Sequence, residues 1–213
     1  MTTPSLNPLD YPARFQFKQP GMPSWLTQTG CTDTVVQMLI EYWKEKLVPL
    51  NQIRAAAGGP TDGVHGLTVQ QSLTALRAFG IYWYTWKNNV DGTFILQQAY
   101  KAPVLTGVAY SAYPRKVKTC TVGPIAENGG KIDCGFRGPH AVLVLGNRKH
   151  LDANGNLLHF DALVRDPDHW ETSPPNFDRM KGSDLTAAVK ALYGTGGWTT
   201  NFAVYSTKSK VLK

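Results

Sequence analysis

Charge is sparse in this chain and cysteine sparser: 17% of its 213 residues are Asp, Glu, Lys or Arg, and three are Cys. Low charge beside 42% hydrophobic and 11% aromatic residues excludes an intrinsically disordered chain and points to a packed core. Three cysteines are too few for a disulfide-stapled scaffold, and any pairing leaves one over. Neither Cys-x-x-Cys nor His-Glu-x-x-His occurs, so no metal site is expected from His65, His150, His159 or His169 with Cys120, Cys134 or Asp168. There is no Gly-rich phosphate loop either, and no cofactor is expected. No apolar run approaches the roughly 20 residues of a membrane span. The polar opening Met1-Thr2-Thr3-Pro4-Ser5 lacks the charged and apolar regions of a signal peptide, so neither a transmembrane segment nor an export address is expected.

What is present is a positive balance, +7 at neutral pH, which favours anionic partners: nucleic acid, lipid headgroups or the acidic polymers of a bacterial cell wall. The cations are scattered, with short clusters at Arg115-Lys116-Val117-Lys118 and at Lys208, Lys210 and Lys213. Without a nucleic-acid motif this reads as a solvated basic surface, and nucleic acid is not the expected partner. Trp25, Trp83, Trp86, Trp170 and Trp198 read as core or cleft-wall residues rather than as a stacking platform.

The length suits one buried core, and no internal repeat or low-complexity break divides it. Residues 1–24 hold five prolines and little periodicity, an extended arm; residues 25–213 are expected to form a single domain. Apolar spacing predicts a largely buried helix over 32–46, then helices over 50–57, 68–79 and 92–100. Strands are predicted over 81–86, 103–110, 141–146, 157–164 and 202–206, with turns at Asn154-Gly155 and at 194–197. Helices crowd the first half and strands the second, the pattern of an α+β domain with a helical half packed on an antiparallel sheet.

Cys31 lies where a loop feeds the N-terminus of the first helix. Unsatisfied N–H groups and the helix dipole favour thiolate there, although a free cysteine is more often a small buried hydrophobe. A nucleophile needs a base, and His140 heads the apolar run 141–146, which would present its imidazole at the edge of a sheet. Asp166, in Arg165-Asp166-Pro167, follows the next run, and a hairpin between the runs would bring its carboxylate to the His140 end as orienter. Asp168 is the alternative orienter. Asp33 suits the positive end of the dipole, yet a carboxylate so close is expected to push the thiol pKa up. Cys120 and Cys134 flank a turn-rich segment and read either as a disulfide or as two reduced thiols. A disulfide needs an oxidising environment, which a protein made in the cytoplasm would meet if it were released by lysis or carried on a virus particle.

In order along the chain, Gly30-Cys31 leading into Val35-Val36-Gln37-Met38-Leu39, Gly66-Leu67-Thr68, Ala102-Pro103-Val104-Leu105, Pro139-His140 with the run to Gly146, and Arg165-Asp166-Pro167 resemble the papain-like cysteine peptidases. The resemblance is to the branch of bacteriocin double-glycine leader peptidases and their bacterial and phage relatives, and it covers most of the chain. It implies that Cys31 is the nucleophile, His140 the base and Asp166 the orienter. It also implies a glutamine upstream of the cysteine as oxyanion donor. Trp25 stands at that place here, so Gln28, closer to the cysteine, is the candidate, with Gln19 the other possibility. The expected activity is hydrolysis of a peptide amide bond. Cell-wall peptide cleavage by a phage protein is the suggested setting, with peptide or peptidoglycan as substrate and other virion or tail proteins as possible partners. The alternative is a catalytically silent papain-like module, for instance a phage tail component.

Overall fold

In the computed structural model, residues 12, 14, 29–62, 65–109, 112, 139–167, 178–192 and 200–210 are described. Among them the chain forms helix α1 (Cys31–Lys44), α2 (Leu50–Ala57), α3 (Val69–Ala78), strand β1 (Tyr84–Asn88), α4 (Gly92–Ala99), β2 (Val104–Ala109), β3 (Pro139–Leu151), β4 (Leu157–Arg165), β5 (Asp178–Lys181), α5 (Gly182–Lys190) and β6 (Phe202–Ser206). The six strands make one sheet in the order β1-β6-β2-β3-β4-β5, every pair antiparallel. The class is α+β.

Both faces of the sheet are covered, which explains why the run at 141–146 is continuously apolar rather than alternating. Ala141, Leu143 and Leu145 join the core beneath α1, α2 and α3, whereas Val142 and Val144 join the core beneath α4 and α5. Helix α1 is the central element of the first core: Val35, Val36, Met38 and Leu39 are fully buried. Each such side chain contributes roughly 1.5–3 kcal/mol through burial, so the position of α1 on the sheet is strongly determined. Trp83 meets Trp43 edge to face at a 4.9 Å centroid separation and serves packing, while Trp86, expected in the core or a cleft wall, is exposed. The predicted arm touches this helix, with Arg14 Nε donating to Glu41 Oε2 at 2.7 Å.

The helix ends follow local chemistry. Thr68 caps α3 with a reciprocal Thr68–Gln71 capping box, and Asp91 accepts from the Phe94 amide to start α4. Several expected strand boundaries shift. The predicted strand at 81–86 begins instead at Tyr84, because the Ile81 amide is spent closing the end of α3 on the Leu76 carbonyl and pairing with β6 starts at Tyr84↔Ser206. The strands expected at 141–146 and 157–164 are longer than their apolar runs. Asp152 Oδ1 accepts from the Asn154 and Asn156 amides, both at 2.8 Å, tying a tight connection that carries polar residues into the ladder. Strand β5 and helix α5 lie beyond the sequence expectation; α5 is carried by Leu185, Ala188 and Val189 at helical spacing, all buried.

The packing of α4 on α5 depends on a missing side chain. A Cβ on Gly92 would collide with Thr186 Oγ1 and lie 2.9 Å from the Thr186 amide nitrogen. Gly92→Ala is therefore expected to cost about 1–3 kcal/mol, lowering the thermal midpoint by roughly 2–4 °C per kcal/mol; an unchanged midpoint in a thermal melt would contradict this close approach.

Candidate active site

Strands β3 and β4 run antiparallel with Leu143 opposite Arg165, so the start of β3 and the end of β4 share one end of the sheet. His140 is the second residue of β3, and Asp166 immediately follows β4. The register brings them into contact: His140 Nε2 and Asp166 Oδ1 are 2.6 Å apart, with both side chains almost wholly buried. Pro139 begins β3 opposite Ala109, a position where its missing N–H is tolerated, and its fixed φ stiffens the entry to His140.

Cys31 opens α1, and its thiol is half-buried at the junction between that helix and β3. With Nε2 committed to Asp166, Nδ1 is the ring nitrogen left for the thiol, which interacts with the imidazole and with the backbone amide of Ala141. Thr32 Oγ1 lies 3.9 Å from the sulfur. The three residues singled out in the sequence thus form one contiguous chain from carboxylate to imidazole to thiol.

The electrostatics favour an ion pair. Burial pushes the Cys31 thiol up, but the hydrogen bond and charge of His140, aided by the Ala141 amide and Thr32, outweigh it and hold the thiol below its ordinary value. Burial pushes His140 down, yet the charge and hydrogen bond of Asp166, together with Cys31, raise it well above the usual imidazole value. Both shifts act in favour of the thiolate–imidazolium pair, the state in which a cysteine is most nucleophilic.

Asp33 corrects one expectation. Its carboxylate pairs with Arg54, Oδ2 to Nη2 at 2.8 Å, with both side chains buried. The guanidinium takes up the charge that was expected to oppose the thiolate, and the net movement of the thiol is downward. Arg54 escaped the sequence reading because a lone arginine in Leu50-Asn51-Gln52-Ile53-Arg54-Ala55-Ala56-Ala57 looks like a solvated helix face; the flanking alanines and a buried acid without an obvious partner were the available signals.

Gln28, Gln19 and Trp25 lie outside the described residues, as do Asp168, His169, and Cys120 and Cys134 with the choice between a disulfide and two thiols. His65 bonds Asp62 at 2.7 Å and His150 bonds Asp161 at 2.6 Å. Among the described residues no three His, Cys, Asp or Glu side chains gather as a metal site, and no helix is long and apolar enough to cross a membrane. A groove of about 450 Å³ bordered by Lys87, Asp91, Phe94 and Lys190 contains no part of the Cys31 constellation.

No protein-family model and no curated protein matches the chain. Among solved structures, the chain is similar to a Bacillus anthracis protein assigned as a C39-like peptidase, with 13% identity, a TM-score of 0.53, and coverage of 94% of this chain and 96% of that one. It is also similar to the peptidase domain of Streptococcus ComA, a bi-functional ABC transporter involved in a quorum-sensing pathway, with 10% identity, a TM-score of 0.46, and coverage of 90% and 98% respectively. The overlap with the Bacillus structure extends over nearly the whole of both chains, and this chain accordingly has the papain-like α+β fold of the C39-type peptidases.

Proposed function

We propose that the chain is a cysteine peptidase or amidase in which Cys31 attacks a peptide carbonyl. The observation that carries this reading is the continuous Asp166–His140–Cys31 contact, buried at its carboxylate end and half-buried at Cys31. The thiolate adds to the carbonyl carbon, and His140, as imidazolium, donates its proton to the departing amine. The neutral imidazole then activates water, which releases the acid and restores the thiol. Asp166 holds the ring so that Nδ1 faces the sulfur, and stabilises its charged form.

The oxyanion formed in each half-reaction needs donors. The first amides of a helix have no intrahelical partner, and we assign one donor to the amide of Cys31, which opens α1. Gln28 supplies the second. For the substrate we favour peptide bonds of bacterial cell-wall material, supported by the +7 charge, which concentrates a basic protein on anionic wall polymers. A phage-borne lytic protein is the setting such a peptidase would serve.

Three substitutions test the reading. Cys31→Ala should abolish release of new amino termini from purified peptidoglycan while leaving the circular dichroism spectrum unchanged, and undiminished release would remove the assignment. Gln28→Ala should lower kcat by about 10²- to 10³-fold; wild-type turnover would exclude it as a donor. Asp166→Asn removes the negative charge that raises His140, so the imidazolium should titrate at lower pH. The high-pH limb of the activity profile should move down with it, and NMR titration of the His140 ring protons reads the shift directly.

A further inference from the structure

Arg54 makes more contacts than its pairing with Asp33 requires. While Nη2 donates to Asp33 Oδ2 at 2.8 Å, Nη1 donates to the Pro60 carbonyl at 3.1 Å and the His65 carbonyl at 2.8 Å. One guanidinium thus joins three points: the first turn of α1 and two carbonyls on the segment between α2 and α3. Only a planar fork serves several acceptors in this way; a lysine ammonium is a point charge on a flexible stem.

The segment so held runs beside the thiol. A Cβ on Gly66 would lie 3.1 Å from the Thr29 carbonyl oxygen and 3.5 Å from Thr32 Oγ1, the same hydroxyl oxygen that is 3.9 Å from the Cys31 sulfur. At its other end a Cβ on Gly59 would collide with the Arg54 Cδ and Leu67 Cδ2 atoms. Both glycines are places where the strap presses on its neighbours, and both contacts require the strap to stay down.

We infer that Asp33 and Arg54 are positioning residues that pin Pro60 and His65, on the connection between α2 and α3, against the start of α1, fixing the wall beside Cys31 on which a peptide is held. Neither touches the reacting atoms; they act through the backbone they hold. The substrate role of the wall rests on the peptidase reading, whereas the pinning does not. Folding alone gives this pair little support: removing two opposite charges from water is costly, and burial lifts the Asp33 carboxyl to about 6 against the pull of Arg54. A costly buried pair placed one turn from the nucleophile and bonded to its neighbouring strap is accounted for by positioning.

Arg54→Lys keeps the charge and removes the fork. Amide exchange, followed by mass spectrometry on peptides covering residues 59–67, should accelerate at least tenfold, since the Gly59 and His65 amides are bonded within this strap system. KM for a peptide substrate should rise about tenfold, while kcat and the rate of Cys31 alkylation by iodoacetamide stay within about twofold. Because Arg54→Lys is at risk of unfolding, the double variant Asp33→Asn with Arg54→Gln, which removes both charges of this pair, is measured beside it and is expected to give the same pattern. Unchanged exchange in the folded variants overturns the pinning, and a fall in kcat and alkylation at constant KM overturns the wall. If the wild-type chain cleaves no peptide, the peptidase reading fails, and exchange still decides whether the strap is pinned.

Discussion

A thiol placed where a helix begins and a buried imidazolium waits is the contact on which the rest of this structure depends. Burial alone would leave Cys31 protonated and His140 neutral, and each would then be an inert polar group in an apolar junction. Asp166 breaks that tie. Its charge raises His140, the charged ring lowers Cys31, and the Ala141 amide and Thr32 hydroxyl reinforce the thiolate. The three groups form one electrostatic unit, and the negative charge of the carboxylate is felt at the sulfur through the ring.

Such a unit tolerates little displacement, and the fold supplies rigidity from two sides. His140 and Asp166 are carried on neighbouring strands whose register is set by a long antiparallel ladder buried on both faces. Cys31 is carried on a helix whose Val35, Val36, Met38 and Leu39 are locked into the core above that ladder. Sliding α1 along the sheet would cost several buried side chains, so the helix start is held against the strand start by packing rather than by the catalytic contact itself. The Asp33–Arg54 pair adds a polar tie at the one end of α1 where packing gives way to the cleft.

Much of this was legible in the sequence, for reasons that can be named. Helix α1 announced itself through dense apolar residues between Cys31 and Pro49, and the sheet through runs at 141–146 and 157–164. Asp166 was reachable because two apolar runs joined by a turn imply a hairpin, and a hairpin returns the residue after the second run to the head of the first. What escaped depended on distant partners or on local polar bonding. The true start of β1 was set by an amide spent on the end of α3, the length of β3 and β4 by the Asp152 turn, and the sign of the Asp33 effect by Arg54, a residue far enough along the chain that no local pattern joins the two. Helix α5 did carry the right spacing, hidden among flanking prolines and glycines.

The most direct test of the ion pair is the pH dependence of alkylation at each cysteine of the native protein, resolved by peptide mass spectrometry. Cys31 should react with iodoacetamide far faster than Cys120 and Cys134 at neutral pH, and its rate should persist into mildly acidic solution because the thiolate survives below its ordinary pKa. A slow Cys31 rate that rises only as the pH approaches that of a free thiol would contradict the proposed thiolate–imidazolium pair.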